Sequence, residues 1–227
     1  MICAHPDDET LFGAQELILE EYLVICVTSI NRFGKETKNL NDFKKNMEEL
    51  NTQYIIWDFI DKGFTHEVLT SEIKFPSDKG LDIRDNIREI LLKENFIKIV
   101  THGCNGEYGH PQHIGLSQVV FDICLEFDIL DKLYHFDLTK IGKVLRKNKQ
   151  ITHQLGDVKY KEIINDNNDN NDLIIDFHIV ERKKHLCENY SHANQLLLVM
   201  FKEFVLYSCI VKCSEIWSTE YNDYQSI

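Results

Sequence analysis

The hexapeptide Ala4-His5-Pro6-Asp7-Asp8-Glu9 puts one imidazole and three carboxylates into a single short stretch. That mixture suits a zinc ion and leaves a carboxylate over to act as a base. A second concentration of chemistry comes later, in Thr101-His102-Gly103-Cys104-Asn105-Gly106-Glu107-Tyr108-Gly109-His110-Pro111-Gln112-His113. There His110 and His113 stand three apart, with Pro111 at the place favoured in a first helical turn. Gly103, Gly106 and Gly109 would let the backbone approach a ligand closely. Each motif alone is a weak signal, since a histidine pair at this spacing is often only a helix-start feature. Together they supply enough donors for the open three-ligand zinc site that catalysis uses.

The flanking elements must bring the two clusters to one place. Met1-Ile2-Cys3 is a short apolar run that stops at a polar, proline-containing turn, which reads as strand and loop, with a helix following over Leu11 to Glu21. Leu23 to Thr28 is a continuous run rich in β-branched residues, the mark of a strand covered on both faces. After a polar loop from Asn31 to Lys38, the pattern predicts a helix over Leu40 to Leu50 and a strand over Tyr54 to Ile60. A helix follows from Asp82 to Glu94, a strand from Ile97 to Thr101, and a helix from His113 to Phe127. Strands alternating with helices predict right-handed crossovers and a mostly parallel sheet, with ligands gathered at its carboxyl edge.

The second half is less regular. It predicts a strand over Leu133 to Leu138, a helix over Thr139 to Leu145 and a polar surface loop over Asn165 to Asp172. That loop lacks the glycine and terminal glutamate of a calcium-binding loop. Leu173 to Val180 reads as a late strand, followed by a basic helix start at Arg182-Lys183-Lys184. The apolar stretch Leu196 to Val211 is interrupted by Lys202 and Glu203 and falls short of the ~20 residues a membrane span needs, so it reads as a buried helix or strand. No linker divides the chain, and residues 1–227 read as one domain.

A net charge of −12 argues against nucleic acid or anionic lipid as a main partner, because both need clustered Lys and Arg. Seven scattered cysteines suit buried thiols in a reducing compartment, and no charged-then-apolar leader opens the sequence, so the expected location is cytoplasmic.

AHPDDE at 4–9 and GEYGHPQH at 106–113 resemble the two signatures of the LmbE-like, or PIG-L-like, zinc-dependent N-acetylglucosaminyl deacetylases. The resemblance runs from residue 1 to about 127, with a further match from Lys183 or Lys184 through Tyr190-Ser191-His192. It implies a Rossmann-like three-layer α/β fold and removal of an N-acetyl or similar acyl group from an amino sugar or sugar conjugate. It also implies one zinc per chain, with His5, Asp8 and His113 as ligands, Asp7 as the general base and His110 as a second acid/base group near the developing oxyanion. The proton for the departing amine would come from Asp7 or His110.

The chain departs from that pattern at several places. Gln112 stands where many members have Asp beside the acid histidine, Asn39 and Asp42 where an Arg-x-x-Glu pair is common, and Ser191-His192 where Ser-Gln is usual. The first strand is short. These departures keep two other readings open, a zinc amidase on a non-sugar N-acyl substrate and a non-catalytic carbohydrate-binding or scaffold domain. Among the remaining residues, His102 reads as a substrate contact or a backbone-bonded turn residue, and Glu9 as a structural charge at a helix start. Asp61 and Gly63 read as contacts for substrate hydroxyls or, in preference, a simple turn, and Arg32 and Lys35 as contacts for an anionic substrate group or, in preference, a solvated loop. Nothing marks Cys104 as a nucleophile.

Overall fold

The structure, a computed structural model, describes residues 1–61, 82–104, 106–137, 177–190 and 209–212. Its elements are β1 (Ile2–Cys3), α1 (Asp8–Leu19), β2 (Leu23–Asn31), α2 (Leu40–Glu49), β3 (Gln53–Asp61), α3 (Ile83–Lys93) and β4 (Ile99–Thr101). They continue with α4 (Gly106–Gly109), α5 (Pro111–Glu126), β5 (Leu133–Asp137), α6 (Phe177–Glu188) and β6 (Cys209–Lys212).

Strands β1, β2 and β3 pair in parallel in that order, β4 pairs in parallel with β5, and β6 adds antiparallel to β5. Two side chains join β1 to β4. The Thr101 hydroxyl donates to the Ile2 carbonyl at 3.0 Å, and the Ala4 N–H donates to His102 Nε2 at 3.0 Å. The chain therefore builds outward from β1 to β3, then returns to the other side of β1 with β4. Such a reversal opens a crevice beyond the carboxyl ends of the two strands, where α/β sheets bind ligands. Both chemical clusters of the sequence leave from those two ends.

Side chains along β1 and β2 alternate between the faces of the sheet, as the period of a strand requires. Cys3, Val24 and Cys26 pack with Phe12, Phe43, Met47 and Tyr190, so α1, α2 and the end of α6 cover one face. Ile2, Ala4, Ile25, Val27 and Phe59 pack with Ile87, Leu116, Val120 and Ile123, so α3 and α5 cover the other. The result is the expected three-layer α/β arrangement with a mostly parallel sheet. Gly13 lets α1 lie close over the sheet, since a Cβ there would come within 2.6 Å of the Met1 side chain.

Three boundaries shift for local reasons. Helix α1 starts at Asp8, not Leu11, because the Asp8 carboxylate accepts the His5 N–H at 2.8 Å and the Asp7 carbonyl accepts the Leu11 N–H at 2.9 Å. Helix α5 starts at Pro111, whose missing N–H costs nothing in a first turn. Strand β4 starts at Ile99, and Ile97 before it is 89% exposed.

One expected strand is corrected. Phe177 to Val180, read as the end of a strand, form the first turn of α6, and Arg182-Lys183-Lys184 lie inside that helix rather than at its start. Buried Lys183, Leu186, Cys187 and Tyr190 recur at helical spacing, and packing of that stripe against α1 and α2 decides the conformation. The expected elements at 139–145 and 165–172 lie outside the described residues, as does most of 196–211, whose end belongs to β6. Among the described residues no helix is long and apolar enough to cross a membrane. Cys3, Cys26, Cys124 and Cys187 are buried free thiols.

Candidate active site

Ala4 fixes where the first loop begins. Its carbonyl accepts the Thr28 N–H at 2.9 Å and the Thr28 hydroxyl at 2.7 Å, while its N–H is spent on His102. The chain then turns sharply, with the Asp7 N–H donating to the His5 carbonyl at 3.1 Å. Asp7 itself has φ +154° and ψ −24°, a conformation few residues other than glycine adopt. Strain of this kind costs on the order of 1–3 kcal/mol and persists only where the surroundings hold it. Here the Asp7 N–H also meets Glu9 Oε2 at 3.1 Å, and Asp7 Oδ2 accepts from Asn39 Nδ2 at 2.8 Å.

Directly beneath this turn three side chains converge. His5 Nδ1 lies 3.2 Å from Asp8 Oδ2 and 3.0 Å from His113 Nε2, and His113 Nε2 lies 3.3 Å from Asp8 Oδ1. A tetrahedral zinc site with bonds of about 2.0–2.1 Å has ligand–ligand edges of roughly 3.3–3.4 Å, so the spacing fits. Among the described residues two overlapping sets of three could hold a metal ion, His5 with His110 and His113, and Asp8 with His102 and His113. His113 is common to both.

The surrounding hydrogen bonds assign the imidazole tautomers. Gln112 donates through Nε2 to the Ile60 carbonyl at 3.2 Å, which leaves its Oε1 to accept from His5 Nε2–H at 3.0 Å. Glu107 accepts from His113 Nδ1–H at 2.6 Å, from His102 Nδ1–H at 2.9 Å and from the Gly103 N–H at 2.7 Å. The lone pairs of His5 Nδ1 and His113 Nε2 are thereby turned on the Asp8 carboxylate. Two imidazole nitrogens and a carboxylate brought this close call for a cation among them. His102 Nε2 has no lone pair to offer, because the Ala4 N–H already occupies it. His102 is thus a buried link between the two loops, which resolves its two sequence readings in favour of the backbone-bonded one.

The electrostatics show the same excess of negative charge, which favours a cation at His5, whether a proton or a metal ion. Burial alone would lower the His5 pKa, but the Asp8 and Asp61 carboxylates lift it to about 10. Burial would raise Asp8, yet His113, His102 and His5 hold it well below the usual carboxylate range. Glu107 is likewise held down to about 2, the pull of burial being outweighed by His102 and His113. Asp7 goes the other way, pushed well above its ordinary value by burial and by the neighbouring charge of Asp8. Burial, together with His113 and His5, takes His110 down to about 2. That lowering disfavours the cationic form of His110.

His5, Asp7, Asp8 and His110 line a cavity of about 320 Å³, with Thr37, Lys38, Asn39 and Asp61 among its walls. His113 lies fully buried below it. All five residues singled out in the sequence are thus gathered in one place. Asp61 Oδ1 stands 3.6 Å from His5 Nε2, inside the site. Arg32 and Lys35 are exposed, and Gly63, Ser191 and His192 lie outside the described residues.

The uncharacterized protein L374 of Acanthamoeba polyphaga mimivirus is 31% identical to this chain over 183 residues, which span 68% of this chain and 76% of the viral protein. The chain belongs to the family of that mimivirus protein. No protein-family model matches it. Among solved structures, the A40926 pseudoaglycone deacetylase Dbv21 shares the fold with a TM-score of 0.54 over 88% of this chain and 82% of that one, at 16% identity. A triple mutant of a deacetylase in the teicoplanin biosynthetic pathway superposes with a TM-score of 0.57 over 94% and 98% of the two chains, at 14% identity. The zinc-inhibited form of the teicoplanin deacetylase Orf2 gives 0.54 over 86% and 84%, at 13%. At these identities the likeness is one of fold.

In this member of the mimivirus protein's family, sequence reasoning passed over Glu107, whose carboxylate orients two imidazoles at once. The available signal was an acidic residue inside a glycine-rich turn directly ahead of a histidine pair. Its backbone φ of +61° turns the side chain back under the site, an arrangement not visible in spacing. Glu107→Gln keeps the size and removes the charge. Zinc affinity, read by competition with a chelating dye, should fall about 10–100-fold, as for other residues that orient a metal-binding histidine. Affinity within twofold of wild type would show that Glu107 does not orient His113.

Proposed function

We propose that this chain is a zinc-dependent hydrolase of the LmbE/PIG-L type that removes an N-acetyl, or similar N-acyl, group from an amino sugar or sugar conjugate. The observation that carries the reading is the convergence of His5, Asp8 and His113 beneath a strained carboxylate, Asp7, that takes no part in their cluster. His5, Asp8 and His113 would hold one zinc ion per chain, two imidazoles and a carboxylate being a set that zinc favours. When bound there, zinc supplies a Lewis acid that polarises an acyl oxygen and brings the pKa of water toward ~7.

The chain's own residues do the rest. Asp7 cannot share the geometry of its neighbour Asp8, so its carboxylate is left to take a proton from the attacking water and hold it for the departing amine. Asn39 steadies that carboxylate through Oδ2. His110, at the cavity wall with its cationic form disfavoured, would serve as an N–H donor to the acyl oxygen, which leaves the return of the proton to Asp7. Gln112 and Glu107 hold the two ring tautomers in place. Thr37, Lys38, Asn39 and Asp61 give the cavity hydrogen-bonding walls suited to a hydroxylated substrate. Strain at Asp7 has no use in a domain that only binds sugar, which favours the enzyme over the scaffold. The deacetylase names of the fold neighbours support the reaction class. Buried free thiols support a cytoplasmic site of action.

The test is acetate release by zinc-loaded protein from a panel of N-acetylated amino sugars and their conjugates. Release from at least one, with a matching free amine, is the expected result. Sugar binding without release from any member would replace the enzyme with the binding domain.

A further inference from the structure

We infer that Glu9 and Tyr190 form a clamp on the Asp7 backbone, so that Tyr190, just beyond α6, is a positioning residue for the site; this rests on Asp7 being the base. Glu9 is fully buried and Tyr190 is 3% exposed. The two oxygens of Glu9 face opposite ways. Oε2 accepts the Asp7 N–H at 3.1 Å, and Oε1 accepts the Tyr190 hydroxyl at 2.5 Å and the Thr10 hydroxyl at 2.6 Å. A residue 181 positions away in the chain therefore reaches the strained turn through one carboxylate.

The Tyr190 end is itself held. Asn46 Nδ2 donates to Thr10 Oγ1 at 3.2 Å and to the Leu186 carbonyl at 2.9 Å, and Asn189 Nδ2 donates to Asn46 Oδ1 at 2.8 Å. These bonds tie α1, α2 and α6 into one buried polar network, and a network whose members are satisfied fixes a single arrangement. Asp7 is thus gripped at two points, its carboxylate by Asn39 and its backbone by Glu9. A turn at φ +154° keeps its shape only while both grips hold. Loss of the Tyr190 hydroxyl leaves Glu9 Oε1 with the Thr10 hydroxyl alone, loosens the Glu9 carboxylate and weakens its hold on the Asp7 N–H, which keeps its bond to the His5 carbonyl.

The experiment uses the full chain loaded with zinc and the variants Tyr190→Phe, Asp7→Asn and their combination. Tyr190→Phe keeps the packed ring. It should leave zinc content and KM within twofold of wild type and lower kcat about 10-fold or more, the scale on which slight misplacement of a reacting group acts. The combined variant should be no slower than Asp7→Asn alone, because Tyr190 acts through Asp7. Rate losses that multiply in the combined variant, or that track the folded zinc-loaded fraction, overturn the positioning role. Hydrogen exchange of the Asp7 amide gives a second reading independent of turnover, with about 10-fold faster exchange expected in Tyr190→Phe and no change at Ile25 in β2. Unchanged exchange at Asp7 overturns the clamp whatever the rates do. Full activity in Asp7→Asn would instead sink the base assignment, and the amide would still decide the clamp.

Discussion

Asp7→Asn will slow N-acyl hydrolysis by roughly 10²–10⁴-fold, the usual worth of a positioned general base, while zinc content and folding stay close to wild type. The substitution removes basicity and almost nothing else. Asparagine has nearly the size and shape of aspartate, so the turn is not further strained by bulk. Its amide oxygen can still accept the Asn39 Nδ2–H that Asp7 Oδ2 accepts now. Burial and the charge of Asp8 raise the Asp7 pKa, and only the deprotonated form can act as a base. The wild-type rate should therefore rise with pH as Asp7 ionises, and this acidic limb should be missing from the variant. Stopped-time acetate assays across the pH range check both points. Wild-type turnover in Asp7→Asn would end the mechanism.

His113→Ala and His110→Ala should separate cleanly. His113 presents Nε2 to both His5 Nδ1 and Asp8 Oδ1, at 3.0 and 3.3 Å, so its loss removes one of three proposed ligands and leaves Glu107 without one of its donors. Zinc affinity in His113→Ala should drop by more than the ~10–100-fold expected for an orienting residue such as Glu107. His110 packs edge-on against His5 with ring centres 4.7 Å apart and stacks on His113 at 4.4 Å. His110→Ala should keep its zinc and lose about 10²-fold or more in rate, within the range for a group that assists proton transfer or charge. Equilibrium dialysis with metal analysis reads the first, steady-state kinetics the second. Equal loss of zinc in both variants would move the metal onto the set of His5, His110 and His113.

The parts of the site legible in the sequence are those whose chemistry is local. His5, Asp7 and Asp8 are adjacent at the end of a strand, and His110 and His113 straddle a helix start, so spacing alone brings each group to the sheet edge. The order of strands and helices through α5 was legible too, because apolar periodicity is set by which faces are covered. What could not be read depends on distant partners. Glu9 looked like a charge at a helix start and is instead a buried hub, because Tyr190 meets it from the far end of the chain. Gln112 read only as a departure from Asp beside His110, yet the Ile60 carbonyl turns its amide toward His5. Glu107 matters only because the fold brings His102 and His113 to the same carboxylate oxygen. The run ending in Phe177 to Val180 has strand-like composition, and burial of Lys183, Leu186 and Tyr190 against α1 and α2 makes it helix.

The central claim is that one metal ion, held between the two loops, is required to cleave an N-acyl group. Its most direct measurement is acetate release from the best substrate by chelator-stripped protein as zinc is added back. The predicted curve starts near zero and rises to the full rate at one zinc per chain, with no rise in His113→Ala at the same zinc concentrations. An undiminished rate in the stripped protein would contradict it.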